Sequence, residues 1–150
     1  MKKKETYKIL ISLDYSPTAQ KVAEAGYALA ISMGAEVILL HVVLELANYS
    51  YTYLNMGPLQ LDSAVELKDA SIQFLDKTKR HLNDINIKTI VVEGAFAESI
   101  LSAARQLHAN IIVMGSHSHS WLENIVVGSV TEKVLNKTTI PLFIVPTKKY

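Results

Sequence analysis

Residues 9–43 read ILISLDYSPTAQKVAEAGYALAISMGAEVILLHVV, and their apolar pattern indicates the fold class. It begins with a short apolar run, Ile9–Leu13, which is typical of a strand buried on both faces of a parallel sheet. Ser16–Pro17 predicts the N-cap and the first residue of a helix, and Gly34 predicts the end of that helix. A second apolar run, Val37–Val43, follows directly. The stretch therefore predicts a strand–helix–strand unit.

The rest of the chain continues this alternation. Apolar runs predict three more strands, and apolar residues spaced by three and four predict three more helices. The strands are expected at 87–92, 111–114 and 140–146, and the helices at 61–82, around 100–107 and from a capping box at 129–132 to residue 137. This order favours one α/β domain over residues 1–150, an open parallel sheet with helices on both faces. Pro141 and Pro146 bracket the last strand, which predicts an edge strand.

The composition argues against several classes of function. The chain has 15 basic and 14 acidic residues, so bulk charge does not favour nucleic-acid binding. It has no cysteine, which excludes disulfides, thiol catalysis and cysteine-ligated metals. No apolar run approaches the roughly 18 residues of a membrane span, and none follows Met1–Glu5 as a signal peptide would require. We expect a cytoplasmic protein that does not enter membranes.

Residues 44–60 fit neither a helical nor a strand period, so they are interpreted as a loop. The loop is long for a compact domain, where most connections have about 4–6 residues. Long loops often carry function, but the tyrosines of this loop could equally cover an apolar surface. Both interpretations stay open.

A ligand is expected where the strands of an open parallel sheet end and the strand order reverses. The segments that follow strands there are Asp14–Ser16, the residues after Val43, and Gly115–Ser129. The third ends at a helix start, whose free N–H groups and dipole favour phosphate, and Ser129 and Thr131 add hydroxyl donors. The alternative is purely structural: Ser129 caps its helix after a glycine turn. The sequence contains neither G-x-x-x-x-G-K-[ST] nor, after the first strand, G-x-G-x-x-G.

The run 111–145, IIVMGSHSHSWLENIVVGSVTEKVLNKTTIPLFIV, resembles the C-terminal half of universal stress proteins, and residues 7–43 resemble their N-terminal half. The family pattern G-x2-G-x9-G-[ST] falls on the loop after the fourth strand. This resemblance implies a Rossmann-like sheet with strand order 3-2-1-4-5. It also implies homodimers through the last strand, near Leu142 and Ile144, and binding of ATP or AMP, with Mg²⁺ as a companion of ATP. The implied role is regulation of a stress response, with at most slow ATP hydrolysis.

The resemblance assigns nucleotide binding to Asp14, Val43, Met114, Gly115, His117, Ser118, Gly128, Ser129, Val130 and Thr131. Asp14 would face the adenine, and Val43 would hold the base through its backbone. Met114–Gly115 would begin the ribose and phosphate loop, and residues 128–131 would contact phosphates. His117 would lie near the ribose or a phosphate.

Ser118 departs from the family pattern, which has its second glycine at this position. Serine is small and fits if its φ is negative, and its hydroxyl could donate to a phosphate. The departure is therefore expected to weaken nucleotide binding without removing it. The departure also leaves open a second hypothesis, that the protein binds no nucleotide and acts as a dimeric interaction module within this family.

Two further alternatives remain. His117 and His119 could chelate zinc or nickel if their backbone is extended, although no third ligand stands at a matching spacing. A nucleotide hydrolase would need a base or a lysine near the phosphate loop, and the sequence shows neither. His41 in the second strand and Trp121 in the loop are interpreted as structural.

Overall fold

The computed structural model describes residues 5–43, 61–116 and 128–147. Its elements are β1 (Lys8–Ser12), α1 (Ala19–Met33), β2 (Glu36–Val43), α2 (Leu61–Leu82), β3 (Lys88–Glu93), α3 (Phe96–Gln106), β4 (Ile111–Gly115), α4 (Ser129–Lys137) and β5 (Leu142–Val145). The expected alternation of strands and helices is confirmed, and the strand ends agree with the expectation to within two residues. The loop expected at 44–60 lies outside the described residues.

The five strands form one parallel sheet in the order β3-β2-β1-β4-β5, which confirms the expected fold class and strand order. The chain moves outward from β1 through β2 to β3, and then returns to the other side of β1 for β4 and β5. The strand order therefore reverses between β1 and β4. β5 pairs with β4 at one edge, as its flanking prolines predict.

Alternate strand residues enter two cores, one on each face of the sheet. Ile9 and Ile11 of β1 belong to the core under α1 and α2, whereas Leu10 belongs to the core under α3 and α4. α1 approaches the sheet closely at Gly26, where an added Cβ would lie 2.7 Å from Ile11 Cδ1 and 3.1 Å from Val113 Cγ1. Only glycine fits this contact without movement of its neighbours.

The predicted N-terminus of α1 is wrong by two residues. The N-cap position belongs to Thr18, which makes no side-chain capping bond, and Ser16 precedes it in a turn. The Ser16 N–H donates to Asp14 Oδ1 at 3.0 Å, and the Ser16 carbonyl accepts the N–H of Ala19 at 3.1 Å. The residues that were expected to start the helix therefore form an Asx turn instead.

The capping box expected in α4 is also wrong. Gly128 occupies the N-cap with extended backbone (φ −68°, ψ 157°), and Ser129 is already the first helical residue, one position too late to cap. The predicted end of α1 is confirmed: Gly34 has φ 63°, and the Ala35 N–H reaches back to the Ala30 carbonyl at 2.9 Å.

Two polar contacts join α1 to the last turn of α2 and to the residues that follow it. His81 Nε2 lies 2.8 Å from Glu24 Oε1, and the Tyr27 hydroxyl donates to Asp84 Oδ2 at 3.0 Å. The hydrogen bond from His81 lowers the pKa of Glu24, with a smaller lowering by Gln20. The hydrogen bond to Asp84 raises the pKa of Tyr27. In the part of the chain that the structure describes, no helix combines the length and apolar character needed to cross a bilayer.

Candidate functional site

A cleft of about 450 Å³ opens at the carboxyl ends of β1, β2 and β4, where the strand order reverses. This volume lies within the range of pockets that hold small ligands. The structure brings seven of the expected nucleotide-binding residues into its lining: Asp14, Val43, Met114, Gly115, Ser129, Val130 and Thr131. Gly128 adjoins them as the N-cap of α4. His117, Ser118, His119 and Trp121 lie outside the described residues.

The start of α4 forms one wall of the cleft. Ser129, Val130 and Thr131 are the first three helical residues, so their backbone N–H groups have no acceptor within the helix. The positive end of the helix dipole lies at the same place. Gly128 directs its own N–H to the carbonyl of Ser116 at 2.7 Å and therefore does not offer it to a ligand. This wall can attract an anion through backbone groups alone.

Hydrogen bonds hold the start of α4 against the end of β4. The buried Thr131 donates its hydroxyl proton to the Gly115 carbonyl at 2.9 Å. Ser116 receives the Gly128 N–H on its carbonyl, and its Oγ accepts the N–H of Thr147 at 2.9 Å. Because the Thr131 hydroxyl donates to the protein, Thr131 would donate to an anion through its backbone N–H.

The opposite wall contains the end of β1 and the end of β2. Asp14 Oδ1 accepts the N–H of Ser16, and within the described residues Asp14 Oδ2 makes no hydrogen bond. The Val43 carbonyl accepts the Gly94 N–H at 2.9 Å and keeps a second lone pair. The cleft thus offers carboxylate and carbonyl oxygens on this side and N–H donors on the other.

An aromatic cluster of Tyr15, His41 and Phe74 stands at the α1–α2 side of the cleft, and the sequence did not predict it. The ring centroids of Tyr15 and His41 are 4.8 Å apart in an edge-to-face arrangement, and Phe74 packs 4.8 Å from Tyr15 and 5.8 Å from His41. Tyr15 and His41 line the cleft. The available signal was positional, because Tyr15 directly follows Asp14 and the period of β2 places His41 on the face that α2 covers.

Charged side chains are scarce in the cleft. Among its described lining residues there is no lysine or arginine, and Asp14 is the one carboxylate. No cluster of three or more His, Asp or Glu side chains in the described parts of the chain could hold a metal ion. Within the described residues, the backbone N–H groups at the start of α4 are therefore the groups best suited to hold a negatively charged ligand.

Comparison with known proteins identifies the family. Residues 6–146 match the model of the universal stress protein family. The chain is 32% identical to universal stress protein MJ0577 of Methanocaldococcus jannaschii over 154 residues, which cover 94% of this chain and 95% of that protein. The solved structure of MJ0577 superposes with a TM-score of 0.77 and covers 96% of this chain and 98% of that chain.

Two more distant solved structures share the fold. One is the universal stress protein from Archaeoglobus fulgidus in complex with dAMP (TM-score 0.64, 17% identity, 92% of this chain and 96% of that chain). The other is a universal stress protein in complex with cAMP (TM-score 0.65, 15% identity, 95% of this chain and 98% of that chain). The family model and the near-complete match to MJ0577 lead to one conclusion: the chain belongs to the universal stress protein family.

Proposed function

We propose that this protein binds an adenine nucleotide, ATP or AMP, in the cleft at the ends of β1, β2 and β4, and that the binding is regulatory. One observation carries the proposal. The cleft combines an anion-attracting helix start at Ser129–Thr131 with a carboxylate at Asp14, at the point where the strand order reverses.

The phosphates would lie at the start of α4. The N–H groups of Ser129, Val130 and Thr131 supply donors, and Gly115 allows the end of β4 to approach a phosphate closely. Mg²⁺ bound with ATP would be held mainly by phosphate oxygens and water, as this ion usually is. Ser118, in place of a glycine, is expected to lower the affinity without abolishing it.

The base would lie at the opposite wall. Asp14 Oδ2 would accept a hydrogen bond from the exocyclic amino group of adenine, and the backbone of Val43 would contact the ring edge. Apolar side chains from both faces of the sheet, among them Val22, Ile100 and Met114, would cover the base. Adenine nucleotides in two distant relatives with the same fold support this assignment.

A regulatory role is favoured over turnover. Phosphoryl transfer depends on cationic groups that stabilise charge on the transferred group, and the described lining of the cleft contains neither lysine nor arginine. We expect at most slow hydrolysis of ATP. We also expect a cytoplasmic homodimer in which the free side of β5, near Leu142 and Ile144, meets a second copy.

Equilibrium dialysis tests the proposal. Purified protein is dialysed against ATP, AMP, cAMP and GTP, with and without magnesium. Saturable binding of an adenine nucleotide, with GTP bound more weakly, is the expected result. Absence of binding at millimolar ligand would contradict the proposal and favour a family member that acts only as an interaction module.

A further inference from the structure

His41 holds the residue that precedes Asp14. The His41 Nδ1–H donates to the Leu13 carbonyl at 2.8 Å, while the Leu13 N–H donates to the Leu40 carbonyl at 2.9 Å. Both polar backbone groups of Leu13 are thus bound to β2, one by the backbone and one by a side chain. His41 is 7% exposed and Leu13 is 3% exposed, so this contact is shielded from water.

His41 also contacts the residue that follows Asp14. The Tyr15 ring packs with its centroid 4.8 Å from that of His41, at an interplanar angle of 73°. Phe74 of α2 packs against both of these rings and completes the cluster. Tyr15 is itself 53% exposed, and these ring contacts restrain it on the cleft side.

Asp14 lies between the two residues that His41 restrains. One of its carboxylate oxygens accepts the Ser16 N–H, and among the residues that the structure describes the other, Oδ2, has no hydrogen-bond partner. We infer that His41 is a positioning residue that fixes the Asp14 carboxylate in the cleft and thereby sets selectivity for purines with a 6-amino group. The inference rests on the proposed function and adds to it a residue that need not touch the base.

The chemistry of the purine edge explains why position matters. A carboxylate oxygen accepts a hydrogen bond from the amino group of adenine. Unsubstituted purine has no group at this position, so the hydrogen bond is lost. Hypoxanthine has a 6-oxo group there, which is itself an acceptor and repels the carboxylate. Sites that hydrogen-bond a ligand group discriminate strongly against analogues without it, because a buried polar group is left unpaired. This discrimination requires that the carboxylate is held in place before the ligand arrives.

Two substitutions separate the functions of the His41 ring. His41→Phe keeps an aromatic ring against Tyr15 and Phe74 but removes the donor to Leu13. His41→Asn removes the ring but keeps an N–H donor at the position of Nδ1. Calorimetric titrations would compare AMP with purine riboside monophosphate and inosine monophosphate for each variant and for the wild type.

We expect the wild type to bind AMP at least about tenfold more tightly than purine riboside monophosphate, the usual effect of a hydrogen bond to a charged acceptor. In His41→Phe this ratio should fall below about threefold, while affinity for purine riboside monophosphate changes by less than about twofold. His41→Asn should keep most of the wild-type ratio. Asp14→Ala should remove the preference for AMP over purine riboside monophosphate. Adding His41→Phe to Asp14→Ala should not change the relative affinities further.

The outcomes distinguish this inference from the proposed function. If the wild type binds no AMP, both are overturned. If the wild type discriminates and folded His41→Phe discriminates equally, or loses both nucleotides to the same extent, the inference alone is overturned. Circular dichroism reports whether each variant folds. If His41→Phe does not fold, a folded His41→Asn variant that has lost the discrimination would overturn the inference, and one that retains it would support it.

Discussion

The Thr131 hydroxyl donates to the Gly115 carbonyl at 2.9 Å and joins the first turn of α4 to the last residue of β4. Thr131 is 3% exposed, so water cannot replace this bond. The bond sets the distance between the helix start and the end of the sheet, which are the two sides of the proposed phosphate site. A change at Thr131 should therefore affect both stability and ligand binding.

Thr131→Val removes this hydrogen bond while nearly preserving the side-chain shape. The Gly115 carbonyl then loses its partner, and we expect the free energy of unfolding to fall by about 1–3 kcal/mol. Denaturant unfolding measures the loss, and nucleotide affinity should fall in parallel. Thr131→Ser is the matched control, because it keeps the hydroxyl and should retain the affinity. Equal affinity in the valine variant and the wild type would show that the bond does not shape the site.

The close contact of α1 with the sheet predicts that Gly26→Ala is destabilising. Alanine favours a helix over glycine by about 1 kcal/mol, but its Cβ would lie 2.7 Å from Ile11 Cδ1 in a fully buried core. Overpacking of this kind costs about 1–3 kcal/mol and outweighs the helix gain, so we expect a net loss of up to about 2 kcal/mol. Adding Ile11→Val removes the Cδ1 and relieves the shorter contact. The double variant should therefore be more stable than the sum of the single losses predicts, and strict additivity would contradict this.

The contact between His81 and Glu24 predicts a specific response to acid. Because His81 lowers the pKa of Glu24 below the ordinary value of 4.5, the ionised carboxylate stabilises the folded state above pH 4.5. This contribution is lost as the pH falls through the lowered pKa. Glu24→Gln should therefore lose less stability than the wild type below pH 4.5, as thermal unfolding at several pH values would show. His81→Gln should likewise reduce the loss of stability below pH 4.5. If both variants lose stability with pH as steeply as the wild type, the contact between His81 and Glu24 does not cause the acid response.

The outer edge of β5, which pairs with no strand of the described sheet, predicts where a homodimer would form. A lysine at Ile144, which is partly exposed on this strand, should place unpaired charge in the expected dimer interface. We expect sedimentation of the wild type as a dimer and of Ile144→Lys as a folded monomer. Leu135→Lys is the control, because Leu135 lies 51% exposed on α4 and should remain dimeric after substitution. A dimeric Ile144→Lys variant would place the interface elsewhere.

Much of the fold follows from local sequence patterns. The apolar runs at β1, β2 and β4 identify the central strands because a strand buried on both faces has no polar period. The N-caps of α1 and α4 were assigned wrongly because Ser16 and Ser129 have suitable residue types, but capping depends on backbone angles that residue type does not fix. At Ser16 the Asx turn from Asp14 takes precedence, and at Ser129 the preceding glycine occupies the N-cap position.

The residues of the candidate site also fall into two groups, those that the local sequence predicts and those that only the tertiary packing brings together. Asp14, Gly115 and Ser129 were predictable because each directly follows a strand or opens a helix at the ligand-binding edge of the sheet. The contact of His41 with Tyr15 and Phe74 was not, because these residues come from β2, from the segment after β1 and from α2. Only the packing of α2 on the sheet brings the three rings together, and no local pattern encodes that distance.

Ser129→Asp predicts opposite effects on the helix and on the ligand. A carboxylate at the first helical position favours the dipole of α4 and should leave stability unchanged or slightly higher. The same charge would repel a phosphate at the adjacent N–H groups, so ATP affinity should fall by about tenfold or more. Glu132→Gln is the converse control, because it removes a carboxylate from the first turn and should strengthen ATP binding slightly. Unchanged affinity in both variants would exclude the start of α4 as the phosphate site.

The most direct test of nucleotide binding is a calorimetric titration of ATP into the wild-type protein, with Ser129→Asp titrated alongside. We predict saturable binding of one ATP per chain to the wild type, and strongly reduced binding to the variant. Absence of saturable heat from the wild type at millimolar ATP, together with an unchanged melting temperature, would show that this cleft is not an adenine-nucleotide site.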